Sequence, residues 1–366
     1  MRQGPLTGVR IVEFAGIGPG PFAAMLLSDM GADVVSVTRP GGSALLGGAD
    51  VTSRGRTTVE AELKQAPGRA LVGSLAEAAD VLIEGFRPGV MERLGLGPQD
   101  LLARNPRLVY GRVTGYGQEG PLSARAGHDI NYISIAGALG ATRRAGERPM
   151  FPLNLLGDYG GGGMLLALGV LAALVHARAR GQGQVVDAAM VDGVSQLATI
   201  VHGLHARGMW SSQQGANLLD SGAHFYEVYE TSDGRYVSVG ALEPQFYAEL
   251  LERLELPPDE LPQWDRERWP SFKERLAAVF RTRTRDHWAE LFAGSDACVT
   301  PVLELLEASS HPHNETRGAF LELDGATLPA PAPRFSVTAS GYARSRVASG
   351  EQVLARWSAN AGPRPG

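Results

Sequence analysis

The start of the chain has the pattern of a strand, a glycine-rich turn, a helix and a second strand. Residues 9–14 are rich in β-branched side chains, and residues 16–21 contain three glycines and two prolines. Residues 22–30 have a helical composition that stops before Gly31, and residues 34–37 form a second apolar strand. This order is typical of a βαβ unit whose first turn binds a phosphate. It restricts the fold to architectures built on a parallel sheet.

The alternation of strands and helices continues along the chain. Apolar strands are predicted at residues 57–63, 81–84 and 108–113, and a helix is predicted at residues 66–79. Strands that alternate with helices form a parallel sheet covered by helices, so the sequence predicts an α/β fold with a Rossmann-like large domain. Ligands of such sheets bind beyond the carboxyl ends of the strands.

Arg39 directly follows the second strand, where a dinucleotide enzyme usually has an acidic residue for the ribose. The third glycine of the dinucleotide fingerprint is also absent. A guanidinium group here would pair well with a phosphate, although a solvated arginine at a strand end explains it equally well. Arg87 and Tyr116 follow two further strands, so we expect all three side chains at one edge of the sheet.

The overall composition limits the classes of function. A chain of 366 residues is long for a single core, and a net charge of −5 argues against a general nucleic-acid binder. Cys298 is the only cysteine, which excludes an internal disulfide and a cysteine-based zinc cluster. The N-terminus lacks the apolar core of a signal peptide, and the longest apolar run, residues 164–175, is shorter than a bilayer span. We expect a cytoplasmic protein without membrane insertion or a nucleic-acid partner.

The composition changes near Gly215, where a second pattern begins. Residues 224–231 and 236–240 alternate as strands around the turn 232–235, and helical segments follow. The sequence therefore predicts a smaller α+β domain after the large one. The predicted bounds are 1–190 for the large domain, completed by about 330–366, then 191–222 for a linker helix, 223–310 for the small domain and 311–329 for a return linker.

A histidine and a carboxylate lie near the two ends of the stretch 127–163. His128 follows a glycine on a loop before a predicted helix, and Asp158 precedes four consecutive glycines, residues 160–163. Each residue by itself is explained as a helix cap. Together they favour a functional role more strongly, because both lie beside glycines that let a ligand approach and the glycine amides would be donors to an oxyanion. Glu243, before a proline at a helix start, is either a cap or a further acid–base group.

Several segments of the chain resemble the class III CoA transferases, the CaiB/BaiF family, and most closely its α-methylacyl-CoA racemase branch. The similarity runs from Gly4 to about Ser336, and the motif Gly-His-Asp-Ile-Asn-Tyr at residues 127–132 is specific to that branch. The other segments that carry the resemblance are residues 39–41, 84–91, 154–163 and 240–247.

The resemblance implies a Rossmann-like large domain joined by long linkers to a small α+β domain, with two chains interlocked as a homodimer. It places the active site between the large domain of one subunit and the small domain of the other. By position, His128 and Asp158 match the catalytic pair, and Glu243 matches a carboxylate that supports the histidine across the dimer interface. The positions that match CoA contacts are Arg39, Ala61, Glu62, Leu63, Lys64, Arg87, Gly127, Asp129, Ile130, Asn131 and Tyr132.

The function implied is an isomerase that epimerises 2-methyl-branched acyl-CoA thioesters through an enolate. It needs no cofactor, since CoA is part of the substrate and the weakly acidic α-proton requires only one base and, on the opposite face, one acid. An aspartate at a helix start tends to stay ionised, whereas the acid role needs a proton. Desolvation by the neighbours Leu153, Leu155 and Leu156 would act in the opposite direction, so the sequence leaves the protonation state of Asp158 open.

Other functions are compatible with the same residues. A CoA transferase would use Asp158 as a nucleophile on the thioester, although that reaction has no use for a second base at His128. A non-catalytic acyl-CoA-binding protein would not need these two residues together with Glu243. An NADP oxidoreductase is a third alternative, against which the incomplete glycine fingerprint argues. His311 and His313 lack a third ligand at helical spacing, so no metal site is predicted.

Overall fold

The computed structural model describes residues 3–42 and 51–359. The chain divides into two compact units. The first unit contains Met1–Ala138, Phe151–Thr199 and Pro331–Gly366, and the second contains Leu139–Met150 and Ile200–Ala330. The segment Leu139–Met150, which lies within the predicted large domain, therefore belongs to the second unit.

A seven-stranded parallel sheet forms the centre of the first unit. Its strands are β1 (Arg10–Phe14), β2 (Asp33–Thr38), β3 (Thr57–Glu60), β4 (Val81–Glu84), β5 (Val109–Thr114), β6 (Val185–Ala189) and the short edge strand Arg346–Val347. All neighbouring strands pair in parallel. The predicted α/β fold with a large parallel sheet is therefore confirmed.

The order of the strands reverses direction next to β1. In space the order is Arg346–Val347, β3, β2, β1, β4, β5, β6, so the chain moves outward from β1 on one side and from β4 on the other. Such a reversal leaves a crevice beyond the carboxyl ends of the two central strands.

Helices cover both faces of this sheet. Those of the first unit are α1 (Pro19–Asp29), α2 (Ala66–Ala78), α3 (Val90–Arg93), α4 (Pro98–Arg104), α5 (Asp129–Ile135), the π-helix Leu155–Met164, α7 (Leu165–Arg180), α8 (Met190–Leu197) and the C-terminal helix Gly350–Ala359. Two further helices, α6 (Ala138–Ala141) and α9 (Thr199–Ala206), each start on the last residue of a first-unit segment and continue into the second unit. Ile11 of β1 belongs to the core on the α1 and α7 side, and its neighbour Val12 belongs to the core on the α2 side. Adjacent strand residues point to opposite faces, so both faces of the sheet are buried.

The second unit contains an antiparallel sheet and its own apolar core. The elements are β7 (Tyr226–Glu230), β8 (Tyr236–Gly240), β9 (Val299–Pro301), β10 (Phe320–Leu323) and β11 (Ala326–Pro329), with α10 (Pro244–Arg253), α11 (Trp269–Phe280), α12 (Arg285–Leu291) and α13 (Pro312–Arg317). Strands β7, β8 and β9 pair antiparallel around a core that includes Phe225, Trp269 and Trp288.

The segment 311–329, predicted as a return linker, contains regular structure. It begins with α13 and continues as the hairpin β10–β11. The turn of the hairpin is Asp324-Gly325, and both residues have positive φ angles, 51° and 82°. Asp-Gly at a turn with two positive φ angles is a strong hairpin signal, so the local sequence explains the difference from the prediction.

The continuous helical stretch Leu155–Arg180 is long and apolar enough to cross a membrane by composition. Half of the most apolar 18-residue segment of this stretch is buried within the protein. Leu166 and Val170 of α7 belong to the core under the sheet. This burial is typical of the core helix of a soluble protein.

Gly193 on α8 provides a test of how tightly the π-helix is packed. A Cβ added at Gly193 would lie 1.9 Å from the carbonyl oxygen of Gly161 in the π-helix. We expect Gly193→Ala to lower the free energy of unfolding by about 1–3 kcal/mol, because neither backbone can move away without disturbing its helix. Urea denaturation measures this loss.

The matched control is Gly203→Ala in α9, where an added Cβ meets no atom within 4 Å. Alanine has the higher helix propensity, so this variant should be stabilised by up to about 1 kcal/mol. Equal midpoints for the two variants would contradict the tight packing of α8 on the π-helix.

Candidate active site

A cleft of about 450 Å³ opens at the carboxyl edge of the sheet in the first unit. The loops that follow β1, β4 and β5 form its walls, so it occupies the crevice next to β1. Of the residues predicted for the site, those that line the cleft are Arg87, Gly127, His128, Tyr132 and Asp158. His128 and Asp158 are far apart in the chain, and the fold brings both to this cleft.

His128 is the N-cap residue of α5, and its side chain is exposed in the cleft. Its amide donates to Oδ1 of Asn131 at 3.0 Å, and its carbonyl accepts from the amides of Asn131 and Tyr132. These bonds hold the backbone of His128 at the helix start. His128 therefore caps α5 through its backbone and also places its side chain in the cleft, so the two roles do not exclude each other.

Asp158 lies inside the π-helix, not at a helix start as the sequence predicts. In a π-helix each amide donates to the carbonyl five residues earlier, and the first such bond here runs from Tyr159 to Asn154. The side chain of Asn154 also donates to Oδ2 of Asp158 at 3.1 Å. A Cβ added to Gly18, in the turn after β1, would lie 3.0 Å from the same oxygen. The glycine-rich turn thus makes room for this carboxylate.

The carboxyl of Asp158 has a perturbed acidity. Burial raises the pKa of Asp158, the bond from Asn154 opposes that rise, the charge of Asp129 adds to it and the charge of His128 opposes it. Two of the three leucines expected to desolvate it are exposed, Leu153 by 70% and Leu155 by 54%, whereas Leu156 is half-buried. The turn after β1 and α5 also approach Asp158 closely and contribute to its burial.

The amides of residues 160–163 are not available to an oxyanion, contrary to the prediction. They lie within the π-helix, where they donate to carbonyls of the same helix. The glycines serve packing: a Cβ at Gly161 would meet Val194 at 2.8 Å, and a Cβ at Gly163 would meet Phe22 at 2.7 Å. The run lets the π-helix lie directly against α1 and α8.

The predicted CoA residues at the start of the chain lie at the same edge of the sheet but outside the lining of the cleft. Arg39 follows β2 and is exposed, and its Nε donates to the carbonyl of Gly42 at 3.0 Å. The predicted strand 57–63 ends at Glu60, so Ala61, Glu62, Leu63 and Lys64 form a loop.

Side chains of this loop differ in their surroundings. Ala61 is buried, and its amide donates to the carbonyl of Thr38 at 2.8 Å. Glu62 accepts the amide of Lys64 at 3.0 Å through Oε1, whereas the side chain of Lys64 is exposed. Lys64 is therefore the residue of this loop whose charge is accessible to a ligand.

Arg87 is exposed on the loop after β4, inside the cleft. The base of this loop is held by Glu84, whose Oε2 accepts the amide of Phe86 at 2.7 Å. Arg125 also lines the cleft, although it is not among the residues predicted for the site. Its position on the loop just before the His128 helix, with a positive charge, was the available signal.

The remaining residues of the motif 127–132 have distinct positions. Ile130 is 40% exposed, whereas Tyr132 is 7% exposed and its hydroxyl donates to the carbonyl of Gly127. Asp129 is 6% exposed, and its Oδ2 accepts the amide of Asp158 at 2.7 Å. Because the carboxylate of Asp129 is buried, the predicted contact with CoA would have to be made by the backbone of this residue.

Glu243 belongs to the second unit. It is exposed at the N-cap of α10, and its carbonyl accepts the amide of Tyr247 at 3.0 Å. Burial raises the pKa of the Cys298 thiol, and the charge of Glu243 raises it further. Within residues 3–42 and 51–359, no group of three or more histidine, cysteine or acidic side chains could hold a metal ion.

Comparisons with known proteins agree with the motifs. A model of CoA-transferase family III matches residues 6–350. The alpha-methylacyl-CoA racemase of Mus musculus is 46% identical over 90% of this chain and 85% of the mouse protein. The human enzyme of the same name is 46% identical over 89% of this chain and 86% of its own length.

A solved structure extends the comparison to the fold. The crystal structure of Rv3272 from Mycobacterium tuberculosis superposes with a TM-score of 0.79 and 27% sequence identity, covering 96% of this chain and 99% of that chain. Rv3272 is named a probable fatty acyl-CoA transferase, and its sequence is 32% identical over 81% of this chain and 82% of its own length.

Proposed function

The chain belongs to CoA-transferase family III, as its motifs predict, and we propose that it epimerises 2-methyl-branched acyl-CoA thioesters. The observation that carries the proposal is that His128 and Asp158 line one cleft at the crevice of the sheet. Two acid–base groups around one space suit a reaction that removes a proton from one face of a carbon and returns it to the other.

The two groups exchange roles in the two directions. In one direction neutral His128 takes the α-proton, and protonated Asp158 returns a proton to the opposite face of the enolate. In the other direction ionised Asp158 is the base and protonated His128 is the acid. Burial raises the pKa of Asp158, which supports the acid form that the first direction requires. Each group is expected to contribute roughly 10²–10⁴-fold to the rate.

The enolate oxygen needs hydrogen-bond donors, and the start of α5 supplies them in this proposal. The first amides of a helix have no partner inside the helix, and those of Asp129 and Ile130 directly follow His128. Donors that meet the developing charge are usually the largest single contribution to such catalysis. They replace the amides of residues 160–163, which are used inside the π-helix.

Positive side chains at the same edge of the sheet are proposed to bind CoA. Arg87 lies in the cleft, and Arg39 and Lys64 are exposed on the loops after β2 and β3. Arginine and lysine pair with phosphate groups, which CoA carries. No cofactor takes part in this proposal, because the thioester itself makes the α-proton acidic.

We further propose an interlocked homodimer in the cytoplasm. Met164, Leu168 and Val175, on the π-helix and α7, are 57%, 64% and 70% exposed, which is an apolar surface suited to a second copy. Glu243 of the partner subunit would then support His128, as the family resemblance implies. Light scattering coupled to gel filtration tests the dimer, and a monomer at micromolar concentration would contradict it.

Solvent deuterium exchange tests the function. We expect the protein to incorporate one deuterium at the α-carbon of a 2-methylacyl-CoA in D2O, with loss of optical purity and without any acceptor acid. Mass spectrometry of the thioester and chiral analysis of the released acid measure both changes. The oxidoreductase alternative is tested separately, by assaying the protein for oxidation of a linear acyl-CoA with NADP as the electron acceptor.

The second candidate function is CoA transfer, which the name of Rv3272 favours. Asp158 would attack the thioester carbonyl and form an acyl anhydride while the CoA thiolate leaves. Hydroxylamine would then trap Asp158 as a hydroxamate, detectable in a peptide that contains this residue. Trapping of Asp158 without α-proton exchange would show CoA transfer in place of the proposed epimerisation. If branched thioesters gave no trapping and no exchange, acyl-CoA binding without catalysis would be the remaining function.

A further inference from the structure

Asp129 is a buried carboxylate directly behind the acid–base pair. It is the first residue of α5, and only 6% of it is exposed. Its Oδ2 accepts the amide of Asp158 at 2.7 Å, across 29 positions of sequence. Its Oδ1 has no hydrogen-bond partner among the residues that the structure describes. A buried charge with one unpaired oxygen is costly, which requires an explanation.

The bond to Asp129 meets a specific need of the π-helix. The first internal bond of that helix comes from Tyr159, so the amide of Asp158 has no acceptor within the helix. Asp129 supplies the acceptor from another segment. Gly157 leaves space for it, because an added Cβ there would lie 2.6 Å from Oδ2 of Asp129. The backbone of Asp158 is thus held at the residue that carries the reactive carboxyl.

The start of α5 carries His128 and also anchors the backbone of Asp158. His128 is the N-cap of α5 and Asp129 is its first residue, so one short segment presents the imidazole and anchors the opposing carboxyl. A shift of this segment would move both groups together. The imidazole of His128 and the carboxyl of Asp158 must lie on opposite sides of one α-carbon. Their separation therefore depends on the hydrogen bond between Asp129 and the amide of Asp158.

Asp129 also adds a negative charge next to Asp158. The other titratable groups that face Asp158 are His128, whose charge lowers the pKa of Asp158, and the hydroxyl of Tyr132. The acidic residue of α8 is Asp192, which is exposed. The acidic residue of α1 is Asp29 at its last position, which forms an ion pair with Arg54. The charged residues of α7 are in its last turn.

We propose that Asp129 is a positioning residue of the reaction, which orients Asp158 through its backbone and places a second carboxylate beside it. This inference rests on the proposed epimerisation. It assigns to the side chain of Asp129 a role apart from any CoA contact of the same residue.

The test uses Asp129→Asn and Asp129→Ala, with Asp192→Asn as the matched control on α8. Asparagine retains an oxygen that can accept the Asp158 amide but removes the charge. For the direction in which Asp158 gives the proton, we expect the basic limb of kcat to move to lower pH, because the acid form is lost earlier. The control should keep the profile of the unchanged protein.

Asp129→Ala also removes the acceptor. We expect its kcat to fall by about 10²-fold while KM changes little, because a misplaced acid affects the proton transfer more than binding. As a measurement independent of turnover, carbon-13 NMR of labelled aspartates follows the titration of Asp158 in the protein without substrate, with Asp158→Asn used for assignment. In Asp129→Asn the midpoint should move to lower pH by a similar amount.

An unchanged NMR midpoint and an unchanged pH profile in Asp129→Asn would overturn the role of Asp129. The proposed function is tested separately, because it fails when Asp158→Ala retains full epimerisation, whatever the behaviour of Asp129. If Asp129→Ala does not fold, Asp129→Asn still decides through the NMR midpoint.

Discussion

His128→Ala and Asp158→Ala are each expected to lower epimerisation by roughly 10²–10⁴-fold and to retain α-proton exchange with one enantiomer only. The reason is that each group faces one side of the α-carbon. When one group is removed, the other can still take a proton from its own side and return a deuteron from solvent to the same side. The enantiomer whose α-proton points to the missing group should exchange much more slowly.

The measurement is deuterium incorporation into separate R and S thioesters, followed by mass spectrometry. The two variants should show opposite preferences, which also identifies the face that each group serves. His176→Ala and Asp192→Ala change the same residue types at exposed positions of α7 and α8 and should behave as the unchanged protein. If both variants of the pair exchanged both enantiomers at the normal rate, the two-base mechanism would be wrong.

Arg112→Leu is expected to lower the free energy of unfolding by about 3–5 kcal/mol. Arg112 of β5 is 6% exposed, and its Nε donates to Oε1 of Glu84 at 2.8 Å on the neighbouring strand. Its Nη1 donates to Oε1 of Glu92 at 2.8 Å. Glu84 is completely buried, so loss of the guanidinium would leave a carboxylate in the core without its charged partner. Urea denaturation at neutral pH measures the loss.

The loss should depend on pH. Burial raises the pKa of Glu84, while the amide of Phe86 and the charge of Arg112 oppose that rise. Without Arg112 the pKa of Glu84 should be higher still. A carboxyl whose pKa is raised in the folded state destabilises the fold as pH rises through its range. The deficit of Arg112→Leu should therefore be smaller in mild acid and larger at neutral pH.

Arg104→Leu is the control, because its ion pair with Glu77 has side chains that are 48% and 46% exposed. Pairs of this kind contribute about 0–1 kcal/mol. Similar losses in the two variants, or a loss in Arg112→Leu that does not change with pH, would contradict the buried pair. Because Glu84 also holds the loop of Arg87, weaker CoA binding should accompany the loss of stability in Arg112→Leu.

Local patterns were sufficient for most elements of the first unit. The glycine-rich turn between β1 and α1 and the apolar strands predicted the parallel sheet, because a sheet buried on both faces requires continuous apolar strands. The motif 127–132 predicted the place of His128 at the start of a helix. Arg87 was expected at the carboxyl edge of the sheet, and it lies there in the cleft.

The prediction was wrong where a residue depends on distant neighbours. The glycines of residues 160–163 look like a helix start, but their small size serves contact with α1 and α8. Leu153 and Leu155 look like a desolvating environment, but they are exposed. Neither outcome can be read from the segment itself, because packing partners come from other parts of the chain.

The sequence by itself determined the kinds of elements, the family and the residues able to transfer protons, since propensity, turn chemistry and motifs act over a few neighbouring residues. Only the tertiary structure decided that Asp158 lies inside a π-helix, that the turn at Gly18 contributes to its burial, and that the carboxylate of Asp129 holds its amide. Burial and hydrogen-bond partners depend on segments distant in sequence. Burial, the largest cause of the raised pKa of Asp158, and the charges of Asp129 and His128 come from distant segments, whereas only the bond from Asn154 is local.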